Sequence, residues 1–295
     1  MITIVPGELD IMVYWIQERD RIRAAKEAGA PKPWTTDKQL RDYRWCNVRR
    51  MDDRVSCELF TRWYQKDADR QTSLAAAVLG RLINWPESLL EISEGAPFRI
   101  EHLQQAGPVL RGRAARGEKV FTGAYLIPPG RPARGGVALS KIEHVIGLAE
   151  LFAMESYSTI TESMRGTWSQ IITWDGMGSF LAGQVVADLV HLEPGRQWSD
   201  APTWAPIGPG SARGLNRLRG IAKDKPVSQD DFERMLPDLI QVLRPRIDTV
   251  WRDRGLQAMD IQNCLCEFDK YRRLQLGEGK VRARYDGAGA QGLLV

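Results

Sequence analysis

The stretch Trp174–Leu189, WDGMGSFLAGQVVADL, decides how this chain is read. Gly176 and Gly178 bracket Met177 directly before a strongly apolar run, Phe180 to Leu189. Glycines so placed let the backbone turn tightly and bring bare N–H groups close to a ligand. A helix N-terminus with open amides favours an anion such as phosphate, through hydrogen bonds and through the helix dipole. An ordinary turn between two packed helices carries the same local signature, so the surrounding sequence must discriminate.

Outward from this stretch the chain reads as helices. Residues 8–28 place Leu9, Met12, Trp15, Ile16 and Ile22 on one side, with Pro6 near the start and Gly29 near the end. Thr36 is placed to cap a second helix from Asp37 to about Val48. Further helices are expected at 55–66, 70–84, 101–116, 140–154, 156–173, 178–191, 211–222, 229–244 and 257–275. The β-prone run Val120–Ile127, closed by Pro128-Pro129-Gly130, predicts a short strand or extended loop. A Pro/Gly/Trp-rich connection spans 193–211, and its GPGS reads as loop. The expected fold is mainly α with one small extended element. Its expected divisions are an N-terminal helix and linker at 1–35, one helical domain with two lobes around a cleft at 36–285, and a flexible tail at 286–295.

The chain has 295 residues, 43% hydrophobic and 26% charged, enough for an ordinary globular core. Its net charge of +4 does not by itself announce nucleic acid, but the basic residues cluster. Arg41, Arg44, Arg49, Arg50 and Arg54 form one group, and Arg111, Arg113, Arg116 and Lys119 another. Cys46, Cys57, Cys264 and Cys266 lack the paired Cys-x-x-Cys spacing of a four-thiolate zinc site and read as reduced thiols. No metal site is expected from them. No signal segment opens the chain and no apolar run reaches membrane-spanning length, so a soluble cytoplasmic protein is expected.

The spacing Gly176-x-Gly178-x-x-x-Ala182 resembles the helix-hairpin-helix of DNA glycosylases, where the small residue permits close helix packing. GPGSARGLNRL, Gly208–Leu218, then falls where those enzymes carry a catalytic aspartate. Gly208 or Pro209 occupies that place, and neither can assist attack at the sugar; Asp200 is the nearest upstream acid. The resemblance implies a helix-hairpin-helix, glycosylase-like helical fold that presents a base but no longer cleaves it. Gly176, Gly178, Ser179, Ser211, Arg213 and Arg217 are its implied DNA contacts.

Three further stretches carry a narrower resemblance: LRDYRWCNVRRMDDRV (40–55), KVFTGAYLI (119–127) and MDIQNCLCEFDKYRRLQLGEGKVRARY (259–285). Together with the two above, they resemble the bacteriophage α-glutamyl/putrescinyl-thymine pyrophosphorylase family, the amino acid:DNA transferases. The likeness runs from about residue 34 to 285. It implies a phage-encoded transferase acting in the host cytoplasm, which replaces the pyrophosphate of 5-(pyrophosphoryloxymethyl)uracil in double-stranded DNA with an amino acid or polyamine. A monomer is expected.

The residues fit such chemistry in part. Arg44, Arg49, Arg50 and Arg54 offer forked donors for phosphate oxygens, with Arg50 and Arg54 sharing a face if both are helical. A solvated basic face, or plain contact with the DNA backbone, has the same composition. Asn47 beside them would orient a ligand. Asp52 and Asp53 either hold Mg²⁺ against the pyrophosphate or pair with the arginines. On the last helix Ile261, Leu265 and Phe268 face a core, while Asp260, Asn263, Glu267 and Lys270 fall on the opposite side. A solvated polar face would look the same. Glu267 or Asp269 is the candidate general base, Asn263 the orienting amide, and Lys270 the cation facing the leaving group. Phe121 and Tyr125 belong either to a base-stacking element or to a buried strand, and Thr122 is a candidate phosphate contact. His102, His144 and His191 share no spacing and receive no role.

Three other functions compete: a helical 5-hydroxymethyluracil DNA kinase, a non-catalytic module that binds modified DNA, and a conventional glycosylase. The sequence contains no Gly-x-x-x-x-Gly-Lys-Ser/Thr loop and no kinase glycine loop, which argues against the kinase.

Overall fold

The computed structural model describes residues 2–123, 127 and 140–278. Fourteen α-helices form among the described residues. The first seven are α1 (Pro6–Glu27), α2 (Lys38–Asp42), α3 (Arg54–Glu58), α4 (Arg70–Ile83), α5 (Pro86–Ile92), α6 (Leu103–Ala115) and α7 (Lys141–Met154). The remainder are α8 (Ser156–Thr159), α9 (Met164–Ile171), α10 (Ser179–Leu189), α11 (Pro209–Leu218), α12 (Gln229–Leu243), α13 (Asp248–Arg254) and α14 (Ala258–Gln275). The fold is mainly α, and the described residues contain no β-strand. Residues 119–123 are non-helical, with the Thr122 amide donating to the Ile83 carbonyl at 3.0 Å. The centre of the expected extended element, 124–126, lies outside the described residues, as do the tail at 286–295 and Tyr125. No described helix is long and apolar enough to cross a membrane.

Four expectations need correction. The helix expected over 156–173 breaks at the extended Ile160 (φ −83°, ψ 112°) and resumes as α9 after the Ser163 cap. The helix expected to reach Val48 stops at Asp42, because Tyr43 is already extended (φ −122°, ψ 159°) and the backbone beyond it bonds to side chains of α14. GPGS is not loop: α11 starts at Pro209, whose fixed φ suits the first helical position, after an extended Gly208. The seven-residue helices α5 and α13 were not foreseen, being too short for their periodicity to show.

The chain divides into two compact units, one built from Met1–Asp53 with Pro202–Val295, the other from Arg54–Ala201. Within the first unit α1 packs on α14 and α11.

In the continuous unit, α4 is the central helix. Asp69 caps it by accepting from the Thr72 amide at 2.7 Å, and Asn84 ends it in the left-handed conformation. Every residue from Thr72 to Ile83 is buried. Its small-residue run SLAAAVLG lets α7 and α10 pack close on it, with α5 also in contact. Arg81 is buried there too, its guanidinium held by Asp188 of α10 and Ser56 of α3.

In the discontinuous unit, α14 is the axis. Ile261, Cys264, Leu265 and Phe268 are fully buried, as are Met12, Trp15 and Ile16 of α1. α11 crosses α14 at close range because Gly210 and Gly214 face it. A Cβ at Gly210 would overlap the Cys266 thiol, and one at Gly214 the Leu265 carbonyl. Glu8 of α1 and Arg272 of α14 close one side as a two-pronged ion pair, 2.7 and 2.9 Å.

Candidate functional site

The WDGMGS stretch forms a turn between α9 and α10 in the continuous unit. Ser163 caps α9 by accepting from the Gly166 amide at 3.0 Å. Trp168 of α9 donates from Nε1 to the Ser179 carbonyl (3.1 Å), and Trp174 packs edge-on against Phe152 of α7, ring centroids 5.3 Å apart. The Met177 amide closes the turn on the Trp174 carbonyl at 3.0 Å, burying the Met177 side chain. Gly178 is exposed and begins α10 with no side-chain cap, and Phe180 beside it is 44% exposed. Among the described residues neither the Gly176 nor the Gly178 amide donates a hydrogen bond. The turn therefore has the features that favour an anion: bare amides, a helix N-terminus and an exposed position.

Gly176 is required twice over. Its φ is +85°, and a Cβ there would overlap His144. His144 lies on α7, is 6% exposed, and its Nε2 is buried with no hydrogen-bond partner. Burial holds its pKa below the ordinary value, against the opposing charge of Asp175. One turn earlier on α7, the Lys141 ammonium sits 4.2 Å from the centroid of the Phe121 ring. The first turn of α7 thus gathers Phe121, Lys141 and the Gly176 turn. Phe121 and the glycines were singled out in the sequence; His144 and Lys141 were missed. Their only signal is the i,i+3 spacing on α7, which carries no meaning until the two distant stretches are placed against it.

In the discontinuous unit, residues 44–53 lie along α14, and the polar face of that helix is not solvated. The Cys46 amide donates to Glu267 Oε2 at 3.2 Å, and the Arg50 amide to Asp260 Oδ1 at 2.8 Å. Asn263 Nδ2 donates to the Asn47 carbonyl at 3.4 Å, and Lys270 Nζ to the Arg44 carbonyl. Lys270 also reaches Glu267 at 3.2 Å and lies 4.4 Å from the centre of the Trp45 ring. Asp260 and Glu267 are 6% and 7% exposed. The side chains picked out as catalytic therefore satisfy the backbone of a non-helical segment, a pattern that helical spacing cannot distinguish from a wet face. Glu267 Oε1 makes no hydrogen bond among the described residues.

Asp269 is not available as a general base. It is 1% exposed, and its oxygens lie 2.8 Å from Arg217 Nε, 2.9 Å from Arg213 Nε and 3.3 Å from Arg273 Nε. The same contacts tie Arg213 and Arg217 to α14; Arg217 keeps 8% of its side chain exposed and Arg213 31%. Ser211 is fully buried. It accepts from the Gly208 amide at 2.9 Å and from Gln262 at 3.1 Å, so it caps α11 rather than facing a ligand.

Arg50 and Arg54 do not share a helical face. A 3₁₀ turn at Arg50–Asp52 ends in an extended Asp53, and α3 begins at Arg54, in the other unit. Arg49 lies 3.7 Å from Asp52, and Arg54 lies 3.9 Å from Glu58. Asp52 is held by Arg254 at 2.6 Å, and Asp53 accepts the Asn47 amide at 2.8 Å while Asn47 Nδ2 donates to the Asp52 carbonyl at 2.7 Å. Pairing within the protein is thus the observed role of both acids. Among the described residues no group of three or more His, Cys, Asp or Glu side chains is placed to hold a metal ion.

Residues 7–281 match the family described as 5-hmdU DNA kinase, helical domain. The chain belongs to the 5-hmdU DNA kinase helical-domain family. A curated relative, the 5-hmdU DNA kinase of Bacillus phage SP10, is 28% identical over 205 residues, covering 63% of this chain and 32% of the relative. The chain thus spans about a third of that relative's length. No solved structure matches. The matched family is that of the kinase helical domain, not the pyrophosphate-displacing transferases whose motifs the sequence resembles.

Proposed function

We propose that this chain serves the phosphorylation of 5-hydroxymethyluracil in phage DNA, holding the DNA and presenting the hydroxymethyl base. The match over residues 7–281 to the kinase helical-domain family carries the reading. Under it, the α9–turn–α10 element acts as a helix-hairpin-helix, seating a DNA phosphate on the Gly176–Gly178 amides and the start of α10. Phe121, with Lys141 over its ring, is the stacking surface for an extruded base. Nucleotide binding is not assigned to this chain, whose sequence has no Gly-x-x-x-x-Gly-Lys-Ser/Thr loop.

The deciding experiment offers the protein matched duplexes carrying 5-hydroxymethyluracil or thymine, with γ-labelled ATP, and follows binding, label and nucleoside mass. Preferential binding of the hydroxymethylated duplex, with or without label transfer, supports the proposal. Equal binding of both duplexes and no label overturns it. Addition of an amine to pyrophosphorylated DNA would restore the transferase reading, and abasic sites would indicate a glycosylase.

A further inference from the structure

His144 stands behind the hairpin turn rather than in it. Its ring packs on the face of Gly176 where any other residue would carry a Cβ, so its position sets how far the turn stands off α7. It is more than nine-tenths buried, and its Nε2 has no acceptor or donor to meet. A buried polar atom left unmatched beside a surface turn costs stability, and such a cost persists where a second state of the protein relieves it. The charged groups around it are few. On α7 itself there are Lys141 and Glu143, and Glu143 is engaged by Arg111 of α6 at 3.0 Å. On α4, Arg81 is closed by Asp188 of α10. The turn contributes Asp175, the charge that acts on the ring. Nothing here fixes a proton on Nε2, whereas an anion seated over the Gly176 and Gly178 amides would.

We propose that His144 is a positioning residue for DNA held at the Gly176 turn: its ring sets the height of the turn, and Nε2 takes a proton from solvent when a DNA phosphate seats there. This rests on the reading of the turn as a DNA contact. The buried ring does not touch the phosphate; the imidazolium acts across Gly176 as a charge complementing the anion, while the backbone amides make the hydrogen bonds. In the DNA-free protein burial holds the ring's pKa below its ordinary value. Binding then takes up one proton, and affinity rises as pH falls.

The test measures binding of a short duplex containing 5-hydroxymethyluracil at fixed salt from about pH 8 to about pH 5.5, for the wild type and for His144→Gln. Glutamine keeps a polar side chain of similar reach but cannot acquire charge. The wild type is expected to tighten about tenfold more than the variant over this range, the effect of a rise of one unit in the ring's pKa on binding. Equal pH slopes in both proteins would overturn the inference while leaving the turn as a DNA contact. Failure of the wild type to bind at any pH would overturn that contact and the inference together. A second measurement needs no variant. The chain has three histidines, and NMR titration of their ring protons should show the His144 midpoint rising when the duplex is added; an unmoved midpoint refutes the proposal.

Discussion

Arg81 grips Asp188 with two prongs, Nη2 at 2.6 Å from Oδ1 and Nε at 2.5 Å from Oδ2, and both side chains are buried. Tyr64 donates to the same carboxylate at 2.6 Å. Changing Asp188→Asn would leave a guanidinium charge buried without its counter-ion. We expect a loss of about 3–5 kcal/mol, read from chemical denaturation. The double change Arg81→Met with Asp188→Leu should lose less than the single one, and a larger loss in the double variant would contradict this account.

Helix propensity and packing make opposite forecasts at Gly214. Alanine in an exposed helix interior is favoured over glycine by about 0.5–1 kcal/mol. At Gly214 the added methyl would overlap the Leu265 carbonyl of α14. Backbone cannot yield as a flexible side chain does, so Gly214→Ala should destabilise by about 1–3 kcal/mol. A raised melting temperature would show that α11 does not pack on α14 this closely.

Asp53 should make stability depend on pH. Burial pushes its carboxyl up to about 6 from an ordinary 3.8, despite the Asn47 amide, Arg50 and Arg19 pulling it down. A carboxyl raised in the folded state favours folding while protonated. Its contribution is complete below the unfolded value and is lost as pH rises through the folded value, on the order of 1–3 kcal/mol between about pH 4 and about pH 6. Asp53→Asn keeps an acceptor for the Asn47 amide and should flatten that part of the stability profile; an unchanged slope assigns the titration elsewhere.

Glu267 and Asp269 should separate in their effects. Glu267→Gln retains an oxygen for the Cys46 amide, so the fold should hold and the melting temperature should stay close to that of the wild type. Asp269→Asn leaves Arg213 and Arg217 without their shared partner and should act on stability first. Thermal melts distinguish the two, and an equal loss in both variants would contradict this account.

Gly176→Ala should weaken DNA binding. It meets both an unfavourable positive φ and the His144 ring, a strain of about 1–3 kcal/mol that only a displaced turn relieves. Gly178→Ala meets nothing within 4 Å and should bind within a few-fold of the wild type. Equal losses at the two positions, measured by fluorescence anisotropy, would argue against the buttressed turn.

The helices were legible where one apolar face meets one core. α1, α4, α7, α12 and α14 lie within two residues of the ends that periodicity and capping predict. What was illegible depends on partners distant in sequence. Residues 43–49 have the composition of a helix, yet their backbone is satisfied by Glu267, Lys270 and Asn263, more than two hundred residues away. Spacing placed Asp260, Asn263, Glu267 and Lys270 on one face correctly but could not tell that another segment covers that face. The glycines at 176 and 178 were read rightly as a turn, whereas the histidine behind them could be found only in three dimensions.

The division of the chain also bears on how it is made. Arg54–Ala201 is one uninterrupted stretch, so its helices can pair with near neighbours as soon as they leave the ribosome. The other unit must wait: α1 and the 44–53 segment emerge about two hundred residues before α14, the helix they pack on. Trp45, which packs on Tyr271 and Lys270, and the apolar stripe of α1 are without their α14 partners in the meantime. Truncation before residue 258 would therefore strip the opening fifty residues of their support as surely as it removes the last helix.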